Sequence, residues 1–306
     1  MKFGTVQTKY AAGGILAHSL VCGRDRFRKG KVLDEKDIRQ LIEFGYDEVV
    51  VARLEDNDTE ENLAAAKVAE NIHFLAEPEN FKKSIAFTGR VNIFARTTGI
   101  IVFDEENLIK ANSIDNMITI ATIPNYSQVT EGSIVATIKI ISYGVITSNL
   151  ETVASLATGT IRLKRPKYLS AHLITTKISK GTSDKSLNAI KKRTDSLGLS
   201  FSVNKDVSHN EDNLKEAIAN AASDLILILT ASATSDISDV APMAVKSLGG
   251  KILRFGIPVD PGNLLFLGLL SDKPIIGLPG CAKSPATNGA DWVLSRVVCG
   301  QIPSEY

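Results

Sequence analysis

The strongest indication of the fold is the stretch at residues 225–235, which reads LILILTASATS. Five successive aliphatic residues predict a strand that is buried on both faces. The strand runs directly into small hydroxylated residues, and Asp236, Asp239 and Pro242 follow. This order of buried strand, tight loop and helix start is typical of an open α/β sheet.

A second stretch repeats this order at residues 274–284, which read PIIGLPGCAKS. In open α/β sheets, ligands bind outside the carboxyl ends of the strands, where loop N–H groups and helix N-termini favour anions. Two such loops in one small domain predict a pocket for a phosphorylated small molecule.

The rest of the C-terminal half alternates strand and helix patterns from residue 168 onward. Apolar runs at 169–175, 199–203 and 251–255 predict further strands, and helical spacing is found around 187–197, 214–221 and 240–248. Repeated strand–helix units indicate a mostly parallel sheet with helices on both faces.

The N-terminal half, residues 1–166, has a different pattern, and we place the domain boundary near Pro166. It mixes apolar strands with short helices, which predicts a mixed α+β region. Asp34 is expected to cap one helix, and Asp58 and Glu61 have the spacing of a capping box for the next. Basic residues between Arg24 and Lys31 indicate a solvated loop more than an anion site.

Composition excludes several classes of protein. The 306 residues include 35 basic and 34 acidic ones, a net charge of +1, so neither nucleic acid nor an anionic membrane surface is expected as a main partner. No apolar run approaches the roughly 18 residues of a membrane span. Three cysteines without CxxC spacing predict a reduced, cytoplasmic protein without disulfides or a zinc site. Neither a GxSxG nor a GxGxxG motif occurs, which disfavours serine hydrolases and Rossmann dehydrogenases.

The loop after Leu229 has properties that suit a phosphate. Its small side chains let backbone N–H groups approach closely, and its hydroxyls add donors. Asp236 and Asp239 would hold a magnesium ion, since Mg²⁺ prefers one or two carboxylates together with substrate phosphates. The alternative is a plain helix start, in which Asp236 or Ser238 is the N-cap and Pro242 lies in the first turn. The pattern leaves both interpretations open.

Two further loops carry candidate contacts. Ser183 and Asp184 follow the first predicted strand, and capping of the next helix is their competing role. In the loop at 279–284, Gly280 permits close backbone approach and Lys283 supplies a cation.

We assign structural roles to two other residues of the loop at 279–284. Ser284 is expected to cap the last helix. Cys281 is interpreted as a small packing residue, because no histidine that would activate a nucleophile stands near it in sequence.

Three segments of the C-terminal half carry a resemblance to a known family. They read DVAP at 239–242, DPGN at 260–263 and IGLPG at 276–280. In these segments the chain resembles molybdenum cofactor biosynthesis proteins of the gephyrin and molybdopterin-transferase superfamily. The N-terminal half is similar too, through GILAHS at 14–19 and VARLE at 51–55. The bacterial branch that it most resembles binds molybdopterin and is commonly joined to a cytidylyltransferase domain.

The resemblance implies a fold and a ligand. Residues 167–306 would form a three-layer α/β/α domain, and residues 1–166 would correspond to the N-terminal part of molybdopterin molybdenumtransferases. The domain would bind molybdopterin or the molybdenum cofactor through its phosphate. The residues assigned to that site are Ser183, Asp184, Thr230, Ala231, Ser232, Ala233, Thr234, Pro261, Gly262, Gly280, Cys281, Ala282, Lys283 and Ser284.

Catalysis follows less directly from the resemblance. Asp239 matches a catalytic carboxylate of the family, whose enzymes use magnesium to attach a nucleotide or insert molybdate. Two departures stand out: Ala231 and Ser232 replace paired glycines, and the position of a second carboxylate falls near His209. Both departures favour binding over catalysis.

Three hypotheses follow. The leading one is a cytoplasmic protein of molybdenum cofactor biosynthesis that binds the pterin phosphate, with ATP or CTP as a co-substrate if it transfers a nucleotide. The second is a non-catalytic carrier or scaffold that serves a separate cytidylyltransferase. The third is a competence-damage-type enzyme that acts on a pyridine nucleotide. The N-terminal region would support the site or help the protein to oligomerise, and a homo-oligomer is expected.

Overall fold

A computed structural model describes residues 1–73 and 78–302 of the chain. It is a mixed α/β protein, as predicted, and it divides into two compact units. The N-terminal unit comprises Met1–Arg96, Phe103–Pro124 and Gly132–Arg162, and the C-terminal unit comprises Thr97–Val102, Asn125–Glu131 and the chain from Leu163 onward. Within the described ranges, no helix combines the length and the apolar character needed to cross a membrane.

The elements up to residue 164 are short. The strands are β1 (Lys2–Gln7), β2 (Ile15–Leu16), β3 (Leu20–Cys22), β4 (Asp25–Phe27), β5 (Glu48–Arg53), β6 (Asp58–Glu60), β7 (Phe81–Lys83), β8 (Arg90–Ala95), β9 (Gly99–Phe103), β10 (Ile118–Thr122), β11 (Gln128–Val129), β12 (Ile134–Ile140), β13 (Gly144–Ile146) and β14 (Ile161–Lys164). The helices are α1 (Glu35–Glu43), α2 (Glu61–His73), α3 (Glu105–Asn112) and α4 (Thr147–Ala157).

The elements after residue 164 alternate more regularly. The strands are β15 (Ser170–Lys177), β16 (Ser200–Ser208), β17 (Leu225–Leu229), β18 (Lys251–Phe255), β19 (Phe266–Leu270) and β20 (Lys273–Gly277). The helices are α5 (Asp184–Ser196), α6 (Glu211–Ala219), α7 (Val240–Ser247) and α8 (Gly289–Val298).

Antiparallel sheets build the N-terminal unit. One has the order β1-β5-β2 and another has the order β10-β12-β8-β7. The predicted start of α1 is confirmed, because Asp34 and Asp37 form a reciprocal capping box with hydrogen bonds of 2.8 and 3.0 Å. This cap satisfies two backbone N–H groups that the first turn of a helix would otherwise leave unpaired.

The predicted capping box of Asp58 and Glu61 is wrong. Asp58 belongs to strand β6, which pairs with β13, and its carboxylate accepts the Glu55 N–H at 2.8 Å. Glu60 supplies the cap instead, since its carboxylate accepts the Asn62 and Leu63 N–H groups at 2.9 and 3.0 Å. The strand pairing joins distant parts of the chain, so cap spacing alone could not reveal it.

A six-stranded sheet with the order β16-β15-β17-β20-β19-β18 forms the centre of the C-terminal unit. The first four strands are parallel, and β19 runs antiparallel to both of its neighbours. The predicted mostly parallel sheet is therefore confirmed.

Strand β17 is buried on both faces, as its sequence predicts. Its three leucines pack in one apolar cluster with Ile190 of α5 and Leu294 of α8. Its two isoleucines pack in another with Leu214 of α6 and Val245 of α7. Successive side chains of a strand point to opposite faces, so one strand joins both clusters. Each buried aliphatic side chain contributes about 1.5–3 kcal/mol relative to its exposed state.

The strand directions fix where the loops emerge. Because β16, β15, β17 and β20 are parallel, the loops that follow them leave the sheet at the same edge. The connection from β18 to β19 also lies at this edge, since β18 runs in the same direction as those four strands. We call this edge of the sheet the carboxyl edge.

Candidate functional site

The structure brings all of the predicted site residues to the carboxyl edge of one sheet. They lie in the loops after β15, β17 and β20 and in the connection between β18 and β19. Strands β15, β17 and β20 are neighbours, so the three loops that follow them are adjacent. Their contacts show which groups are free to meet a ligand and which are already used within the protein.

The loop after β17 is held in shape by hydroxyl groups. The Thr230 hydroxyl donates to the Ser232 carbonyl at 2.6 Å and lies 3.3 Å from the Thr234 hydroxyl. Both threonines are buried. The Ala231 N–H donates to the Thr176 hydroxyl of β15 at 2.9 Å. The predicted Ala231 amide is therefore engaged within the protein.

The next three amides of this loop are not engaged. The N–H groups of Ser232, Ala233 and Thr234 make no hydrogen bond to any part of the chain that the structure describes. Ser232 and Ala233 are exposed. Successive free N–H groups bind an anion where they converge, so this segment is the candidate phosphate site.

His209 lies in the loop after β16 and is not among the predicted site residues. Its Nδ1 lies 2.9 Å from the Thr176 hydroxyl, and its N–H donates to the Lys177 carbonyl at 3.0 Å. Thr176 thus links His209, in the loop after β16, to Ala231, in the loop after β17. The parallel register of three strands creates this link, and no local motif signals it.

The two acidic residues of the loop bind their own backbone. Asp239 is the N-cap of α7, where one carboxylate oxygen accepts the Val240 N–H at 2.7 Å and the other lies 3.4 Å from the Ser235 N. Asp236 accepts the Ser238 N–H at 2.7 Å. The expectation that Asp236 or Ser238 caps this helix is wrong, because Asp239 takes that role.

Magnesium at Asp236 and Asp239 stays a prediction. Among residues 1–73 and 78–302, no group of three or more His, Cys, Asp or Glu side chains has the arrangement of a metal site. A magnesium ion that bridges phosphate oxygens needs only one or two protein carboxylates, so the predicted pair is compatible with this finding.

The loop after β20 begins with a short 3₁₀ helix, Gly280–Lys283. Gly280 is exposed, and its N–H donates to no acceptor within the described ranges. The Lys283 side chain is also exposed, and its ammonium group forms no ion pair or hydrogen bond with the described residues. One amide and one cation are therefore available beside the loop after β17.

The predicted helix cap at Ser284 is wrong. Helix α8 begins five residues later, at Gly289, and its cap is Asn288. Asn288 and Asp291 form a capping box, in which the Asn288 N–H donates to Asp291 at 2.8 Å. Carbonyl groups of the preceding residues accept hydrogen bonds from a buried side chain.

That side chain is Arg193 of α5, which sequence reasoning missed. It forms an ion pair of 2.8 Å with Asp291, and its other N–H groups donate to four carbonyl oxygens. These acceptors lie 2.9–3.2 Å away, on Ala189, Ala282, Ser284 and Ala286. All five donors of the guanidinium are thereby satisfied. Arg193 fixes the backbone on both sides of Lys283.

The loop after β15 is also held from within. Ser183 caps α5 by accepting the Ser186 N–H at 3.3 Å, and the exposed Asp184 pairs with Lys205 at 3.1 Å. Asp206 accepts the Thr182 N–H at 2.8 Å. The competing structural role that we assigned to Ser183 is thus present.

The connection between β18 and β19 supports the start of α8. The Pro261 carbonyl accepts the Gly289 N–H at 2.9 Å. A side chain at Gly262, whose φ is +133°, would place its Cβ 2.6 Å from the Gly289 nitrogen. The Ala290 N–H is used as well, by Asn288 at 3.0 Å. Because these amides are occupied, the start of α8 is less suited to an anion than the loop after β17.

Cys281 and Ala282 have packing surroundings. Ala282 is fully buried in the apolar cluster of α5 and α8. Cys281 is half-buried, and burial raises the pKa of its thiol above the ordinary value. The thiol is therefore protonated near neutral pH, which agrees with a packing residue and not with a nucleophile.

Comparisons with known proteins give one family match over a short segment and similarities to solved structures. Residues 5–53 match a family described as a domain of unknown function, DUF8806. No curated protein matches the chain. Among solved structures, the chain is similar to a molybdopterin biosynthesis MoeA protein from Pyrococcus horikosii, with 11% identity, a TM-score of 0.35, and coverage of 98% of this chain and 75% of that chain. It is also similar to NadC from Streptococcus pyogenes, with 12% identity and a TM-score of 0.18. This match covers 55% of this chain and 68% of that chain. Scores this low carry no argument about function.

Proposed function

We propose that the C-terminal unit binds molybdopterin or the molybdenum cofactor through its phosphate, at the carboxyl edge, during molybdenum cofactor biosynthesis. One observation carries the proposal. Three successive N–H groups, those of Ser232, Ala233 and Thr234, have no acceptor in the described part of the chain, and the Lys283 ammonium in the adjacent loop has no counter-ion there.

The chemistry of a phosphate matches these groups. A phosphate monoester carries up to two negative charges, and its oxygens accept several hydrogen bonds at once. Three amides and one ammonium supply four donor groups, and the Gly280 N–H adds a fifth. Hydrogen bonds to a charged group contribute about 1.5–3 kcal/mol each when they are well formed.

The site has little reorganisation to undergo when a ligand binds. The hydroxyls of Thr230 and Thr176 hold the loop after β17, and Arg193 holds the loop after β20. A site whose donors are fixed in advance loses less entropy on binding. The contacts within the loops therefore support the proposal, although they use the side chains of Ser183 and Asp239.

The pterin part of the proposal rests on the resemblance of the three C-terminal segments. The same resemblance supports a three-layer α/β/α domain, as does the alternation of β17 side chains between the cluster of α5 and α8 and the cluster of α6 and α7. A homo-oligomer, a cytoplasmic location and a cytidylyltransferase partner remain predictions.

A carrier without catalytic activity is the second candidate function. The observation that favours it is the engagement of Asp239, whose two carboxylate oxygens face backbone N–H groups of its own loop. A carboxylate used in this way is less available to a catalytic magnesium ion. A nucleotidyltransferase or molybdenumtransferase would need Asp239 to exchange these contacts for the metal.

Anaerobic titration of the protein with molybdopterin tests the binding. Lys283→Ala is expected to weaken the affinity by about tenfold or more, since one tenfold step corresponds to about 1.4 kcal/mol. The matched control is Lys192→Ala, which removes an exposed lysine in the third turn of α5. Ala233→Pro deletes one of the free N–H groups, and Ala233→Gly is its control. Equal affinity for all four variants and the wild type would refute the proposal.

The role of Asp239 is tested separately. Incubation with molybdopterin, magnesium and CTP or ATP shows nucleotide transfer if the protein is an enzyme. Asp239→Asn keeps the helix cap but removes the charge. A transferase would lose its activity in this variant, whereas a carrier would bind molybdopterin as the wild type does.

A further inference from the structure

The N-terminal unit contains a cavity of about 450 Å³ that includes none of the residues assigned above. We propose that this cavity binds a small anion that carries a planar ring, such as a heterocyclic monophosphate or an aromatic carboxylate. Its volume falls within the roughly 300–1,000 Å³ of small-molecule sites. The argument is independent of the proposed function, because it uses different residues in a different unit.

One wall of the cavity is apolar. Phe3, Met117 and Ile141 line it, and they are 57%, 42% and 58% exposed. Single exposed apolar side chains are ordinary on a soluble protein. Three that converge on one concave surface indicate a place where a ligand removes them from water.

The same wall presents a flat aromatic surface. The rings of Phe3 and Tyr143 are nearly parallel, with 13° between their planes and 6.4 Å between their centres. Tyr143 is buried, and its hydroxyl donates to the Ala17 carbonyl at 3.0 Å, so its ring is fixed. Phe3 lies against this fixed ring, so the exposed Phe3 ring is the aromatic face on which a planar ligand would stack.

Polar side chains also line the cavity. The Lys29 ammonium lies 5.5 Å from the centre of the Tyr143 ring and forms no ion pair with the described residues. The Lys29 N–H donates to the Ser19 hydroxyl at 3.0 Å, which leaves the hydroxyl hydrogen of Ser19 available. The His18 ring, which also lines the cavity, makes no hydrogen bond within residues 1–73 and 78–302.

Among the described residues, no carboxylate forms an ion pair with the Lys29 ammonium. The Glu61 carboxylate interacts electrostatically with Lys29, but the two form no ion pair. A cation beside two further polar side chains is satisfied best by an anion that accepts hydrogen bonds. A cavity lined by apolar and aromatic side chains together with a cation and two polar side chains therefore favours a ligand with both a ring and a negative charge.

Methionine methyl groups give a direct test. The chain has three methionines. Met1 and Met117 line the cavity, whereas Met243 lies in α7 of the C-terminal unit. With ¹³C-methyl methionine, NMR follows all three while the protein is titrated with adenosine 5′-monophosphate or 1-naphthoate. Adenosine supplies a ring without the charge, and inorganic phosphate supplies the charge without a ring.

The proposal predicts that a ring-bearing anion shifts the Met117 methyl signal by its ring current. Adenosine and phosphate should each require at least about tenfold higher concentrations. Lys29→Met should reduce the affinity for the ring-bearing anion to that for adenosine, and Lys36→Met, at an exposed lysine of α1, should leave it unchanged. If only adenosine 5′-monophosphate or only 1-naphthoate binds, the result shows whether the cavity takes a phosphate or a carboxylate.

Three results would overturn the proposal: no probe shifts Met117, the probes shift Met243 instead, or Lys29→Met binds with the wild-type affinity. Binding at the carboxyl edge is tested by Lys283→Ala and does not enter this measurement. Failure of one site is therefore distinguishable from failure of the other.

Discussion

The Arg193 guanidinium of α5 and the Asp291 carboxylate of α8 form an ion pair of 2.8 Å. The two residues are 98 positions apart in the chain, and the Arg193 side chain is only 7% exposed. Because Arg193 also binds carbonyl groups on both sides of Lys283, one buried cation fixes both the start of α8 and the loop after β20.

Arg193→Lys is expected to destabilise the C-terminal unit. Lysine keeps the charge but cannot serve five acceptors in a planar arrangement. Breaking a buried charged network costs about 3–5 kcal/mol, so the free energy of unfolding, measured by urea denaturation, should fall by an amount of that order.

The control for this prediction is Lys191→Met, which breaks the exposed ion pair between Lys191 and Asp195 on the same helix. Exposed pairs contribute at most about 1 kcal/mol. If Arg193→Lys were as stable as the control, Arg193 would not hold the loop in the way described.

Thr176→Val removes the hydroxyl that joins Ala231 to His209 and nearly preserves the volume. It leaves the Ala231 N–H without its acceptor, which should cost about 1–3 kcal/mol of folding stability. Molybdopterin binding should weaken as well, since the loop after β17 loses an anchor. Thr152→Val, on an exposed face of α4, should change stability by less than about 0.5 kcal/mol. Unchanged stability and affinity in Thr176→Val would contradict the assigned link.

The sequence predicts the central strands and the carboxyl edge well. The aliphatic run of β17 and the small residues after it are local signals, and the parallel sheet follows from repeated strand–helix units. Caps are predicted when both partners are local, as Asp34 and Asp37 are. They fail where a distant strand intervenes, as at Asp58.

The residues that hold the site were harder to predict. In the sequence, Arg193 occupies an ordinary position of a helical pattern. Its role arises from contacts with the loop after β20 and with α8, which are distant in the chain. His209 and Thr176 meet because β15 and β16 pair, with a shift of register between Ile174 and Thr176. The cavity of the N-terminal unit brings together Phe3, Lys29 and Met117, which no sequence spacing relates.

Glu61 gives a pH-dependent prediction. Burial raises the pKa of the Glu61 carboxyl above its ordinary value. A carboxyl with a raised folded-state pKa favours folding below its unfolded-state pKa, and this contribution is lost as the pH rises through the folded-state value. Ionised Glu61 therefore opposes folding at neutral pH, and Glu61→Gln should increase the free energy of unfolding at pH 7.

The difference between Glu61→Gln and the wild type should shrink as the pH falls toward the ordinary carboxyl pKa. Thermal unfolding at pH 7 and near pH 4 measures this difference in stability. Glu43→Gln, at an exposed position of α1, should show no such trend. A constant difference at both pH values would show that ionisation of Glu61 is not its cause.

The cysteines should react slowly in the native protein. Cys22 and Cys299 are buried, and burial raises the pKa of all three thiols, that of Cys299 to about 11. Thiolate is the reactive form, so alkylation by iodoacetamide at pH 7 should be slower than that of free cysteine and should accelerate on unfolding in urea. Fast alkylation that Cys281→Ser abolishes would instead reveal an activated thiol at the carboxyl edge.

The decisive experiment is an amide NMR titration of ¹⁵N-labelled protein with molybdopterin under anaerobic conditions. If the phosphate binds in the loop after β17, the amide signals of Ser232, Ala233 and Thr234 should move downfield and saturate together. The Ala231 amide, which already donates to Thr176, should move little. If the three amides stay in place while molybdopterin binds, or if no binding occurs, the phosphate site at the carboxyl edge is wrong.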